Sequence, residues 1–129
     1  MFLKKFLLEY STIITIAWAL VIFILCATPG QYIPSTNWLE LLSFDKFVHA
    51  SLFFVLSCLF FVVGIKYKQP KTLFVFYFLL CVLYGGLLEI MQAKCFSNRS
   101  ADWKDFVANS FGCILAVLFL KKLKHYLIS

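Results

Sequence analysis

Four stretches of this chain are apolar for long enough to cross a lipid bilayer, and no other feature constrains its folding as strongly. A helix needs roughly 20 mostly apolar residues to span the hydrocarbon. Residues 10–28, 47–65, 72–92 and 106–120 supply such runs. The last is short and is expected to reach back through the polar residues ahead of Phe106. Backbone groups in lipid must pair within the chain, and the runs show no period of two, so helices are expected rather than barrel strands. The fold class is therefore an all-α integral membrane protein, a bundle of four transmembrane helices forming a single domain over residues 1–129.

Composition agrees with this reading. The chain is 63% hydrophobic and only 14% charged, and its mean hydropathy is +0.92. Those values exclude a disordered chain and an ordinary soluble domain. The five cysteines are widely spaced with no C-x-x-C pair, which excludes a small disulfide scaffold. Cys26, Cys58, Cys81 and Cys113 fall in the spans and read as small apolar residues. Cys95 falls outside them, as a free thiol or a link between two chains.

Lysine and arginine placement sets the orientation. Lys4, Lys5, Lys66, Lys68, Lys71, Lys121, Lys122 and Lys124 fall on one side. Lys46, Lys94, Arg99 and Lys104 fall on the other. Both termini are thus expected in the cytoplasm. The net charge of +6 is read as flanking charge that sets topology and meets anionic lipid. No basic motif with interleaved aromatics points to nucleic acid. The first apolar run exceeds a typical signal-peptide core of about 7–15 residues, so it is expected to persist as a helix. Between spans one and two, Pro29, Gly30 and Pro34 break the helix. Asn37 then leads into Trp38, Leu39, Leu41, Leu42 and Phe44, which predict a short interfacial helix.

Ionisable residues in or near spans are functional candidates by default. Three groups stand out. Asp45, Lys46 and His49 enter span two. Asp45 and His49 share a helix face, so that the carboxylate would orient the imidazole, or Asp45 simply caps the helix. Glu89 and Gln92 close span three, above Gly85 and Gly86, which permit close helix approach. Arg99, Asp102, Asp105 and Asn109 lead into span four. The two aspartates also suit a helix N-terminus, whereas Asn109 lies within the apolar run and needs hydrogen-bond partners. Span two descends from outside, span three ascends to it and span four descends again. All three groups therefore reach one leaflet, and a shared outward-facing pocket is expected.

The order of these residues resembles the VanZ-like family. The pattern reads Asp45-Lys46, His49 and Phe53, then Gly85, Glu89 and Gln92, then Arg99, Asp102, Asp105, Asn109 and Gly112. Asn98 stands where the family often has Gly, and Ala116 where a second Gly is common. The resemblance implies a small multi-pass protein of the bacterial cytoplasmic (inner) membrane, with some relatives linked to low-level resistance to teicoplanin-type glycopeptides. Those drugs act on cell-wall precursors at the outer face of the cytoplasmic membrane, which suits a pocket opening outward.

Two functions follow from the residues taken with that resemblance. In the first, the pocket binds a membrane lipid or lipid-linked envelope precursor, with Arg99 and Lys46 meeting phosphate. Asp45, Gln92, Asp102 and Asn109 complete that binding set. In the second, the chain is an intramembrane acid/base hydrolase or transferase. His49 and Glu89 would exchange protons, Asp105 would orient His49 or help hold a divalent cation, and Asn109 would donate to an oxyanion. No diagnostic spacing such as H-E-x-x-H assigns a metal. A third role, with the polar set acting only as glue between helices, is also open.

Overall fold

A computed structural model describes residues 1–27, 38–94 and 103–129, with the helical backbone alone for 38–45. Asp45, Arg99 and Asp102 were singled out from the sequence, but their side chains lie outside the described residues, as does Cys95. The chain forms five helices there: α1 (Phe2–Glu9), α2 (Ser11–Ala27), α3 (Trp38–Lys66), α4 (Lys71–Lys94) and α5 (Trp103–Ile128). Four segments are long and apolar enough to cross a membrane: Phe2–Ala27, Lys46–Lys66, Lys71–Lys94 and Trp103–Ile128. The chain is thus an all-helical, multi-pass membrane protein.

The helices match the expected runs closely, with two informative differences. The separate interfacial helix is not a separate element, because Trp38 to Phe44 form the first turns of α3. No proline or glycine lies between Asn37 and Gly64, so nothing in that stretch breaks the hydrogen-bond ladder. The fourth span also runs well past Leu120, through Lys121, Lys122 and Lys124 to Ile128. Hydropathy falls there, yet packing continues. Leu120, Leu123 and Leu127 follow one helical stripe and close on Val62 and Ile65 of α3 and Leu8 of α1.

The helix α3 is the centre of the bundle. Phe53, Leu56, Ser57, Phe61 and Val62 are buried along it. Its closest partner is α5. A Cβ added at Gly112 would lie 2.1 Å from the Ala50 carbonyl oxygen and 3.0 Å from the Phe54 amide nitrogen. The two backbones therefore meet with no room for any side chain, the mode of packing that small residues permit in lipid. Hydrogen bonds tie α2 to α3 and α4. Trp18 Nε1 donates to the Leu52 carbonyl at 3.0 Å, Tyr84 Oη to the Ala19 carbonyl at 2.7 Å, and Gln92 Nε2 to the Cys26 carbonyl at 3.2 Å. Bonds of this kind contribute about 0.6 kcal/mol each on average, so close packing, more than hydrogen bonding, sets the arrangement.

The turn between α3 and α4 has a defined cap. The Gln69 amide donates to the Gly64 carbonyl at 2.9 Å, and the Lys68 amide to the Ile65 carbonyl at 3.1 Å. Lys68 sits between them with φ at 51°. This is a Schellman cap, whose left-handed position normally carries glycine. Pro70 then blocks further helix, and Tyr77 Oη bonds the Gln69 side chain to hold the turn. A side chain in this conformation costs roughly 1–2 kcal/mol, partly offset in glycine by its freer unfolded chain. Lys68→Gly should therefore raise thermal stability in detergent by roughly 0.5–1 kcal/mol. A lowered unfolding midpoint would contradict the cap.

Candidate functional site

The polar residues of α3, α4 and α5 turn away from the lipid-facing surface and into the bundle. His49 is 7% exposed, Glu89 6%, Gln92 1%, Asp105 8% and Asn109 2%. Helical spacing explains why. Asp105, Asn109 and Gly112 fall on one stripe of α5, and Gly112 is the residue pressed against Ala50 of α3. The next turn of α3 toward its N-terminus carries Lys46 and His49, which therefore face Asp105 and Asn109. On α4, the buried stripe is Cys81, Gly85, Leu88, Glu89 and Gln92. A Cβ at Gly85 would stand 3.2 Å from Asn109 Cβ and from its Nδ2, and 3.2 Å from Phe53 Cε1. The bare Gly85 backbone thus lets Asn109 lie against α4.

His49 sits between two α5 side chains. Its Nδ1 is 3.0 Å from Asn109 Oδ1. An amide oxygen can only accept, so Nδ1 carries the proton and donates. Its Nε2 is 3.7 Å from Asp105 Oδ2. With Nδ1 committed to Asn109, Nε2 is the ring position at which a proton is gained or lost. Asp105 divides its oxygens, with Oδ2 toward His49 and Oδ1 in an ion pair with Lys46 Nζ. Lys46 and Asp105 keep 24% and 11% of their side-chain surface exposed, so the pair borders the surface while His49 lies behind it.

The structure thus brings Lys46, His49, Asp105 and Asn109 into one cluster, with the side chain of Asn109 also against Gly85 of α4. Glu89 is buried one turn beyond Gly85 on the same stripe and is engaged in further interactions. Gln92, placed in the binding set from sequence, is held by the Cys26 carbonyl of α2. That contact brings the end of α2 to the same end of the bundle, a role the sequence did not signal because a backbone carbonyl carries no residue identity. Among the described residues, no three His, Cys, Asp or Glu side chains gather into a metal-binding group. Cys58, Cys81 and Cys113 are free thiols.

A groove lies beside the cluster. It opens between α3 and α5, encloses about 600 Å³, and is lined by Lys46, Phe47, Ala50, Trp103, Val107 and Phe111 among others. Lys46 belongs to both the groove and the ion pair. The groove is apolar apart from Lys46 and Lys104, and Lys46 leads inward through Asp105 to His49. Comparison with protein families, with curated proteins and with solved structures finds no match.

The Lys46–Asp105 pair has a measurable energetic signature. Removing one partner of a largely buried pair leaves the other charge uncompensated, at a cost of roughly 3 kcal/mol, whereas replacing both is often near neutral. Asp105→Leu should lower stability in detergent by about that amount, and Lys46→Met combined with Asp105→Leu should recover most of it. Additive losses in the double variant would show that the two side chains are not coupled.

Proposed function

We propose that this chain is a small VanZ-like protein of the bacterial inner membrane that binds the headgroup of a lipid or lipid-linked envelope precursor at the extracytoplasmic leaflet. The observation that carries the reading is the junction of an apolar, lipid-facing groove with the buried Lys46–Asp105–His49–Asn109 cluster. A ligand with an acyl or prenyl tail lays the tail along Phe47, Val107 and Phe111. Its phosphate meets Lys46, as a compact cationic donor, and its hydroxyl or amine groups meet the carboxylate and amide behind. The residue order shared with the VanZ-like family supports the same reading and extends it to envelope traits such as tolerance of teicoplanin-type glycopeptides.

The orientation rests on charge. Lysines concentrate at the end formed by α1, the α3–α4 turn and the end of α5, which the positive-inside rule assigns to the cytoplasm. Trp103, 71% exposed at the start of α5, suits the opposite membrane interface. An impermeant maleimide applied to intact cells should label Cys95 but not a Cys95→Ser variant. Labelling only after the membrane is opened would reverse the orientation.

The setting of His49 favours a second reading. With Nδ1 held by Asn109, Nε2 is placed to take a proton from water or from a hydroxyl attacking the headgroup. One reconstituted sample separates the two. Full-length protein in lipid nanodiscs should bind a polyprenyl phosphate roughly tenfold or more tightly than the matching alcohol, as one charge-assisted contact supplies. The Lys46→Gln variant should lose that preference. Equal affinities for phosphate and alcohol in the unaltered protein would sink the binding proposal. Release of inorganic phosphate, abolished in His49→Gln, would establish the enzyme reading instead.

A further inference from the structure

We propose that the groove between α4 and α5, at the end of the bundle opposite His49, is a site for one anionic phospholipid. The groove encloses about 690 Å³, within the usual range of about 300–1,000 Å³ for ligand pockets. Its floor is Phe61 of α3, fully buried. Phe74 and Phe78 of α4 form one wall, and Val117 and Leu118 of α5 form the other. At the mouth stand Lys71, Lys121 and Lys124. On α5 the groove runs from Ile114 to Lys124, which at 1.5 Å per residue is about 15 Å. That is the depth of one leaflet, half of a hydrocarbon core about 30 Å thick. An acyl chain lying against Phe61 therefore brings its glycerol phosphate level with the three lysines.

Charge selects the headgroup. No acidic residue lines this groove. Glu9 is the one acidic residue in the sequence flanking this end, and it lines a separate recess with Lys5 and Lys66. The contrast with the other end is direct, since there Lys46 already has Asp105 as its partner. Two of the lysines, Lys121 and Lys124, are three residues apart on one helix and so share a face. Lys71 approaches from α4. Three ammonium groups converging on one apolar slot match a phosphate that carries a net negative charge, and a zwitterionic choline headgroup would bring a like charge among them. The site does not depend on the headgroup pocket proposed at the His49 end, because the two share no residue.

The test is native mass spectrometry of the full chain in detergent, titrated with dioleoylphosphatidylglycerol or dioleoylphosphatidylcholine. The first phosphatidylglycerol should bind roughly tenfold or more tightly than the first phosphatidylcholine. Replacing Lys71, Lys121 and Lys124 together by Gln should erase that difference. All three are exposed, so the fold does not depend on them. Val117→Trp, which fills the slot and alters no charge, should weaken phosphatidylglycerol binding by roughly tenfold through the lost apolar contact. Equal affinity for the two lipids in the unaltered protein would overturn the proposal. So would an equal loss on replacing Lys4, Lys5 and Lys68 by Gln, because binding would then follow overall charge and not the groove.

Discussion

The contact between Gly112 and the Ala50 carbonyl governs the rest of this molecule. Lipid tails are as apolar as leucine, so the hydrophobic effect does not drive one spanning helix against another. Close approach of backbones supplies the attraction, and α3 and α5 take that to the limit a glycine allows. Once Gly112 is seated on Ala50, helical periodicity leaves little freedom. One turn along, Asn109 meets His49, and a further turn brings Asp105 to His49 and to Lys46. The polar cluster is a consequence of a dry, small-residue contact beneath it. Gly85 extends the same logic to α4, since its missing side chain leaves the space that Asn109 fills.

The four spans were legible because lipid imposes a simple test of length and apolarity, and each run passes it. Helix ends were less legible. Leu120, Leu123 and Leu127 continue α5 beyond its hydrophobic stretch through packing on α3 and α1, and a hydropathy reading sees only the lysines between them. The stripe was there to be read as spacing. The first turns of α3 posed the opposite problem. Trp38 and its neighbours have an interfacial composition, but composition does not say whether a helix breaks before the span begins. Absence of a breaker decided it. Among the site residues, spacing grouped Asp105 with Asn109 and put His49 at the same end. It offered both Asp45 and Asp105 as carboxylates to orient His49 and could not fix how closely Asp105 approaches, because that depends on the rotation of α5 set at Gly112. Nor could it foresee Gln92 reaching a carbonyl of α2.

The two ends of the bundle handle charge in different ways. At the His49 end, cations and carboxylates occur together, and Asp105 engages both Lys46 and His49. A charge kept in a largely dry place needs such a partner. At the other end, lysines far outnumber acids, and they remain at the surface, where water and headgroups solvate them. Uncompensated charge at that end is inexpensive for the protein and attractive to anionic lipid. Compensated charge at the His49 end carries little long-range attraction, because each charge there is matched by a neighbour.

This division bears on how a ligand would be recognised at the His49 cluster. A phosphate that takes Lys46 from Asp105 exchanges one anionic partner for another, so the net gain depends on what Asp105 does next. Its second oxygen already points at His49 Nε2 across 3.7 Å, too long for a hydrogen bond in that state. Freed from Lys46, the carboxylate would have the imidazole within reach as a donor, provided that Nε2 carries a proton. If the proposed anion binds at Lys46, its capture would be linked to the proton at His49 Nε2, with the ring held at Nδ1 by Asn109. On the proposed readings, binding and proton transfer at this cluster would both turn on Asp105, the one side chain that faces Lys46 and His49 together.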